Sequence, residues 1–256
     1  GNPKRSLREV KNAIQLRKIL DRYIDKRTME EMSFIDKPEE KVHRHFLKRS
    51  GPVFEIMEDL ARRRSGIESS WHAERGEDNY AVIYTAGRAA SVDPRLYSGE
   101  HAHIGFDTRT YNEENDKIEF TISHVAKVFN KNKDAGQLVF LDNAGHKLKQ
   151  EGLLEENLHR EMKNDLLEKG FKKSQIAIIN GKEITNPKTW NESSCSGEKA
   201  SERKQQIADL YNEGKIKVII GTTKSMGEGM DLQVKTTDIY HVDIPYAPAE
   251  FTQRNG

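Results

Sequence analysis

The sequence predicts an α/β fold: a mostly parallel sheet with helices on both faces, preceded by a helical and β-hairpin extension. Short apolar runs recur at 137–141, 175–179, 216–220 and 238–242, each of a length that suits a buried strand. Amphipathic helical patterns at about 154–169 and 199–213 separate the first three runs, and such alternation is the signature of a parallel sheet wound with helices. At 256 residues the chain has room for a medium α/β domain and an extension before it.

In chain order, Leu7, Val10, Ile14, Ile19 and Leu20 fall near helical spacing among charges and predict a docked linker helix. After the turn-prone Asp36-Lys37-Pro38, a second helix is expected from about Glu39. Gly51-Pro52 opens a third, running through Phe54, Met57 and Leu60 to Arg64. Arg62-Arg63-Arg64 could meet phosphates, but a solvated helix end is the plainer reading. Residues 80–85 and 89–92, on either side of Ala86-Gly87-Arg88, read as two short strands around a tight turn. A polar loop at 98–116 leads to an amphipathic helix over 120–129, and the polar stretch at 181–201 is long enough for a mobile or functional loop. The division expected is an extension over 1–78 and the α/β lobe over 79–256.

Composition narrows the function classes. A chain 35% hydrophobic and 32% charged, with no apolar run of membrane-spanning length, does not read as a membrane protein. The single cysteine, Cys195, has no partner for an internal disulfide, so a cytoplasmic setting is expected. A net charge of +1 gives no global argument for a polyanionic partner, so any nucleic-acid surface must be local. The start, Gly1-Asn2-Pro3, has neither an initiator Met nor a signal sequence, and the chain reads as a fragment.

The most informative tract is Gly221-Thr222-Thr223-Lys224-Ser225-Met226-Gly227-Glu228-Gly229, a strand end running into a twin-glycine turn. In open α/β sheets ligands bind beyond the carboxyl ends of strands, where Thr222, Thr223 and Lys224 are expected. Hydroxyls and backbone N–H groups hold a phosphodiester backbone without reading its bases, and a lysine adds a charge-assisted contact. Asp231, an acceptor when ionised, suits ribose hydroxyls or a nearby arginine. Taken alone, a Gly-x-Gly turn after a strand is equally an ordinary strand-to-helix loop.

The continuation carries more: Asp243-Ile244-Pro245-Tyr246-Ala247-Pro248-Ala249, then Gln253-Arg254-Asn255-Gly256. Residues 217–256 resemble motifs V and VI of superfamily 2 helicases and Swi/Snf-type translocases, whose second lobe is a RecA-like domain. They are most similar to the helicase part of phage- and plasmid-borne DNA methyltransferase-helicase proteins. Gln137-Leu138-Val139-Phe140 resembles motif IV, and the segment from Asn79 to Leu96 resembles the part before it. The resemblance implies that Gly229, Asp231, Gln253 and Arg254 face the nucleotide, and that Thr222, Thr223, Lys224 and Met226 contact the nucleic-acid backbone. It implies ATP and Mg²⁺ in the intact protein, DNA as partner with RNA left open, and a first RecA-like lobe on the same polypeptide. The family's phosphate-reaching arginines come just after Gln-Arg-x-Gly, where this chain stops, and no Gly-x-x-x-x-Gly-Lys-Ser/Thr occurs. These 256 residues alone are therefore expected to lack ATPase activity, and no catalytic residue is assigned to them.

Other signals are weaker. His43 with His45, and His101 with His103, would each share a face if extended, but no Cys or carboxylate at ligand spacing joins them, so no metal site is assigned. Cys195 reads as a spectator thiol, Trp71 and Trp190 as partly buried anchors, and His241 as a satisfied strand histidine. Two rival functions remain: a non-catalytic RecA-like scaffold binding protein or nucleic acid, and a different α/β enzyme such as a sugar-nucleotide transferase. The second would need its own acid, base or metal carboxylates, and no convincing set is present.

Overall fold

Four strands form one parallel sheet: β1 (Gly136–Phe140), β2 (Ile176–Ile179), β3 (Val218–Gly221) and β4 (Thr236–His241), in the order β2-β3-β1-β4. In this computed structural model the described residues are 12–24, 39–49, 51–69, 79–97, 112–145, 156–181, 199–227 and 230–255. Trp71, Trp190, Cys195, His101, His103, Gly229, Gly256, Asp36-Lys37-Pro38, Leu7 and Val10 lie outside them, as does most of the 181–201 loop. The chain divides into two compact units, Gly1–His45 and Phe46–Gly256.

The first unit contains α1 (Ala13–Leu20). None of its residues is buried within its own unit, and its stripe of Ile14, Leu16, Ile19 and Leu20 is exposed there. The helix expected from Glu39 does not form: residues 39–49 carry no regular structure. A short amphipathic segment gains its helical stability mostly from burying its apolar face, and Val42 and Phe46 are left exposed.

The second unit begins its regular structure with α2 (Gly51–Ser69) and α3 (Tyr80–Val92). The β-hairpin expected over 80–92 is a helix. Asn79 caps it by accepting a hydrogen bond from the Val82 N–H at 3.1 Å, and the half-buried Ile83 and Ala86 and the buried Ala90 follow helical spacing. Gly87 is no turn residue; a Cβ there would meet Leu60 of α2 at 3.4 Å. The two helices share a small core of Ile56, Ala90 and Tyr97, with Leu60 and Ala86 packed against it. Asp59 on α2 is buried and accepts from the Tyr97 hydroxyl and from Arg62, while Arg63 donates to that hydroxyl at 2.8 Å. Arg62 and Arg63 are thus bound into the helix pair.

The sheet is packed on both sides, as expected. Its helices are α4 (Lys117–Lys131), α5 (Leu158–Glu168), α6 (Ala200–Asn212), the one-turn α7 (Thr223–Met226) and α8 (Pro248–Arg254). Side chains alternate along each strand, so Val139, Ile176, Val218 and Ile220 face one way and Leu138, Phe140, Ala177, Ile179 and Ile219 the other. The first set packs on Ile118, Ile122 and Phe129 of α4 and Leu158, Met162 and Leu166 of α5. The second packs on Ile207, Ala208 and Tyr211 of α6, with Met226 and Leu232. β1 is central, with Gln137 opposite Val218 on one side and Asp238 on the other. This arrangement sends the ends of β1, β3 and β4 out of the same edge of the sheet.

Candidate functional site

At that edge the backbone is packed too tightly for side chains. A Cβ on Gly221 would run into the Ile179 carbonyl and lie 2.6 Å from the Met226 sulfur. Glycine lets β3 continue between β2 and the turn of α7. Thr222 then caps α7, its hydroxyl accepting from the Ser225 N–H at 3.2 Å. Thr223 turns inward, Lys224 points to solvent, Ser225 is half-buried, and Met226 folds back into the core.

Thr223 enters a closed polar network joining three strand ends. Its N–H donates to the Asp142 carboxylate at 2.6 Å, and its hydroxyl donates to the same group. That hydroxyl also accepts from Arg254 Nε at 2.8 Å. The rest of the Arg254 guanidinium donates to Asp142 at 2.8 Å, to the Asp243 carboxylate at 3.0 Å and to the Asp243 carbonyl at 2.7 Å. Asp243 in turn accepts from the N–H groups of Asp142 and Asn143 at 2.8 and 3.0 Å. Burying charges this deeply is costly unless each is paired and hydrogen-bonded, and here each is. The Arg254 side chain is fully buried.

The surroundings complete the frame. The guanidinium lies 5.2 Å from the Phe140 ring centroid, and His241 stacks on Phe140 and contacts Phe251 of α8. His159, fully buried on α5, donates from Nε2 to the Leu141 carbonyl at 2.8 Å and accepts on Nδ1 from Asn180 at 3.0 Å, which fixes the ends of β1 and β2. Lys117, at the start of α4, is half-buried; burial lowers its pKa, and the Asp243 charge works against that shift. Arg254 is thus the cation that Asp142 and Asp243 share.

The expected residues separate into distinct places. Thr223 and Arg254 meet within the network, and Gln253 joins them by donating to the Gly227 carbonyl at 2.9 Å. A Cβ on Gly227 would lie 2.8 Å from the Thr223 carbonyl of α7 and 3.1 Å from the Gln253 side chain of α8, so this glycine is closely approached from both helices. Met226 is a core residue, 3% exposed. Asp231 sits apart: its carbonyl accepts from Asn212 at the end of α6, its carboxylate accepts from the Gln233 N–H at 3.3 Å, and no described arginine pairs with it. Thr222, Lys224 and Ser225 form the accessible lip. Lys224 is exposed and makes no ion pair with a described residue. Asp142 and Asp243 were missed as site residues, although each follows directly on an apolar strand run and a strand-end carboxylate is a natural arginine partner.

Among the described residues no group of three or more His, Cys, Asp or Glu side chains could hold a metal ion. No helix of the described residues is long and apolar enough to cross a membrane. The parallel sheet with a built strand-end edge defines a RecA-like α/β lobe. Residues 146–256 match the helicase conserved C-terminal domain, a stretch that begins after β1 and contains Thr223, Asp243 and Arg254. The match supports a helicase-type C-terminal lobe. No curated protein matches the chain.

Proposed function

We propose that this lobe serves an ATP-dependent DNA helicase or translocase, supplying contacts to the nucleic-acid backbone and the second face of the ATP cleft. The observation that supports this best is the lip of Thr222, Lys224 and Ser225, set directly beside the buried network of Thr223, Asp142 and Arg254. Hydroxyls and the exposed Lys224 ammonium suit phosphates and carry no base information, as a motor that ignores sequence requires. ATP and Mg²⁺ would bind between this lobe and a first RecA-like lobe of the same polypeptide, which would bring the phosphate-binding loop. In this reading Gly229 and Asp231 face the nucleotide side, and Arg254 and Gln253 brace the edge from α8. The residues from 79 onward resemble most the helicase part of phage- and plasmid-borne methyltransferase-helicase proteins, which makes DNA the strand to test first.

The test is the affinity of the chain for labelled single-stranded and duplex DNA over a range of salt concentrations. Binding should weaken steeply with salt, and Lys224→Ala should reduce the magnitude of the log–log slope by about 1, the signature of one lost phosphate contact. A flat salt response that Lys224→Ala leaves unchanged would refute the backbone-binding role.

A further inference from the structure

The face of α3 is not explained by the network. Tyr80, Tyr84 and Arg88 recur at four-residue steps along one stripe of the helix, and both tyrosines are more than half exposed. The loop after β4 brings Ile244 and Tyr246 to the same place, 78% and 80% exposed. Arg88 joins the two elements. Its guanidinium donates to the Ile244 carbonyl and lies 5.8 Å from the Tyr84 ring centroid and 5.9 Å from that of Tyr246. One cation is thus held beside two aromatic rings that remain open to solvent.

Exposed aromatic side chains gathered in one patch mark a contact surface more often than chance. The charge here selects its partner. α3 contains no Asp or Glu, so Arg88 is its only charged side chain. The nearest carboxylates along the loop are already engaged: Asp243 with Arg254, and Glu250 with the Ala247 N–H. The surface is therefore aromatic and cationic, without an accessible carboxylate in the stripe. The loop also starts at Asp243, the residue that shares Arg254 with Thr223.

We infer that Tyr84, Arg88 and Tyr246 form a stacking site for an unpaired base of a nucleic-acid strand. The site rests on the backbone-binding reading and adds to it a second, base-facing contact. Aromatic faces accept any base, so the site would hold a strand open without imposing sequence. Arg88, pinned by the Ile244 carbonyl, sets the rings and contributes its own charge.

The experiment uses the whole chain and a single-stranded oligonucleotide carrying 2-aminopurine, whose fluorescence falls on stacking, beside a strand of the same length with abasic positions. Tyr84→Ala and Tyr246→Ala should each restore fluorescence and weaken binding of the ordinary strand about 5- to 150-fold. They should leave abasic-strand binding unchanged, and Tyr→Phe at either position should behave as wild type. Tyr→Leu keeps an apolar side chain without a ring and covers the case in which alanine disturbs the fold. Leucine performing as well as tyrosine would overturn the stacking site in favour of an apolar protein-docking face. Displacement of the base by free ATP, with Lys224-dependent binding intact, would reassign the rings to a nucleotide and overturn the strand assignment. A strand bound through Lys224 but indifferent to both tyrosines refutes the stacking site alone, whereas failure to bind any strand refutes the backbone reading as well.

Discussion

Arg254 has more at stake than any other side chain at the strand-end edge, because removing it leaves Asp142 and Asp243 facing one another with no cation between them. Arg254→Ala should destabilise the fold by about 3–5 kcal/mol, the usual cost of leaving one half of a buried ion pair. Arg254→Lys should recover little, since an ammonium cannot reach Thr223, Asp142 and Asp243 together as the planar fork does. Urea unfolding of the two variants measures both. Tyr97 makes a separate prediction about pH. Burial, with the hydrogen bond to Asp59, raises its pKa from 10.0 to about 12, against the opposing pull of Arg63. A folded pKa above the unfolded one means that its stabilising contribution is complete below about pH 10 and is lost as pH rises towards 12. Tyr97→Phe should flatten the alkaline fall in stability over that window, measured by unfolding at stepped pH. Thr223 and Arg254 were singled out in the sequence for contacts to nucleic acid and nucleotide, and their contact with one another was not legible there. It depends on Asp142, which lies 81 residues from Thr223 and 112 from Arg254.

At the scale of elements, β1, β2 and β3 were legible because each is a short, largely apolar run buried along its length, while β4, an edge strand, is only partly buried; the helices between them were legible because their apolar positions recur near every fourth residue. The region before them was misread for a local reason. Val82, Ile83, Tyr84 and Thr85 favour strands, and Ala86-Gly87-Arg88 resembles a tight turn. The cap at Asn79 and the packing of Ala86 and Ala90 on α2 outweigh that preference. The glycines of the two regions should respond differently to substitution. Gly87→Ala meets only Leu60, at ordinary contact distance, and should be neutral or slightly stabilising through helix propensity. Gly221→Ala drives a methyl into the Ile179 carbonyl and Met226, and should cost about 2 kcal/mol or more. Thermal unfolding of the two variants side by side is the check; equal effects would contradict the close packing of β2, β3 and α7.

At the scale of the second unit, α3 is linked to the sheet layer through the turn at Pro94–Leu96. Arg95 there pairs with Asp93 at 2.7 Å and with Glu161 of α5 at 2.7 Å. Burial alone would lower its pKa, but the two carboxylates raise it, so Arg95 holds its charge at every accessible pH. Arg95→Ala should loosen α2 and α3 while β1 and β3 stay protected, and hydrogen exchange followed by mass spectrometry would resolve the two regions. Uniform loss of protection would instead make the helices and the sheet one cooperative block.

The central position of β1 also shapes how the molecule is made. β1 emerges from the ribosome first among the strands, yet both neighbours arrive late: Thr223, just past β3, follows Asp142 by 81 residues, and Asp243, just past β4, follows it by 101. Until then Leu138, Val139 and Phe140 have no strand to pair with. A nascent chain of this topology carries an unpaired apolar strand while the 81 residues up to Thr223 are added, which exposes it to aggregation and favours protection by a chaperone until α8 arrives and Arg254 closes the network.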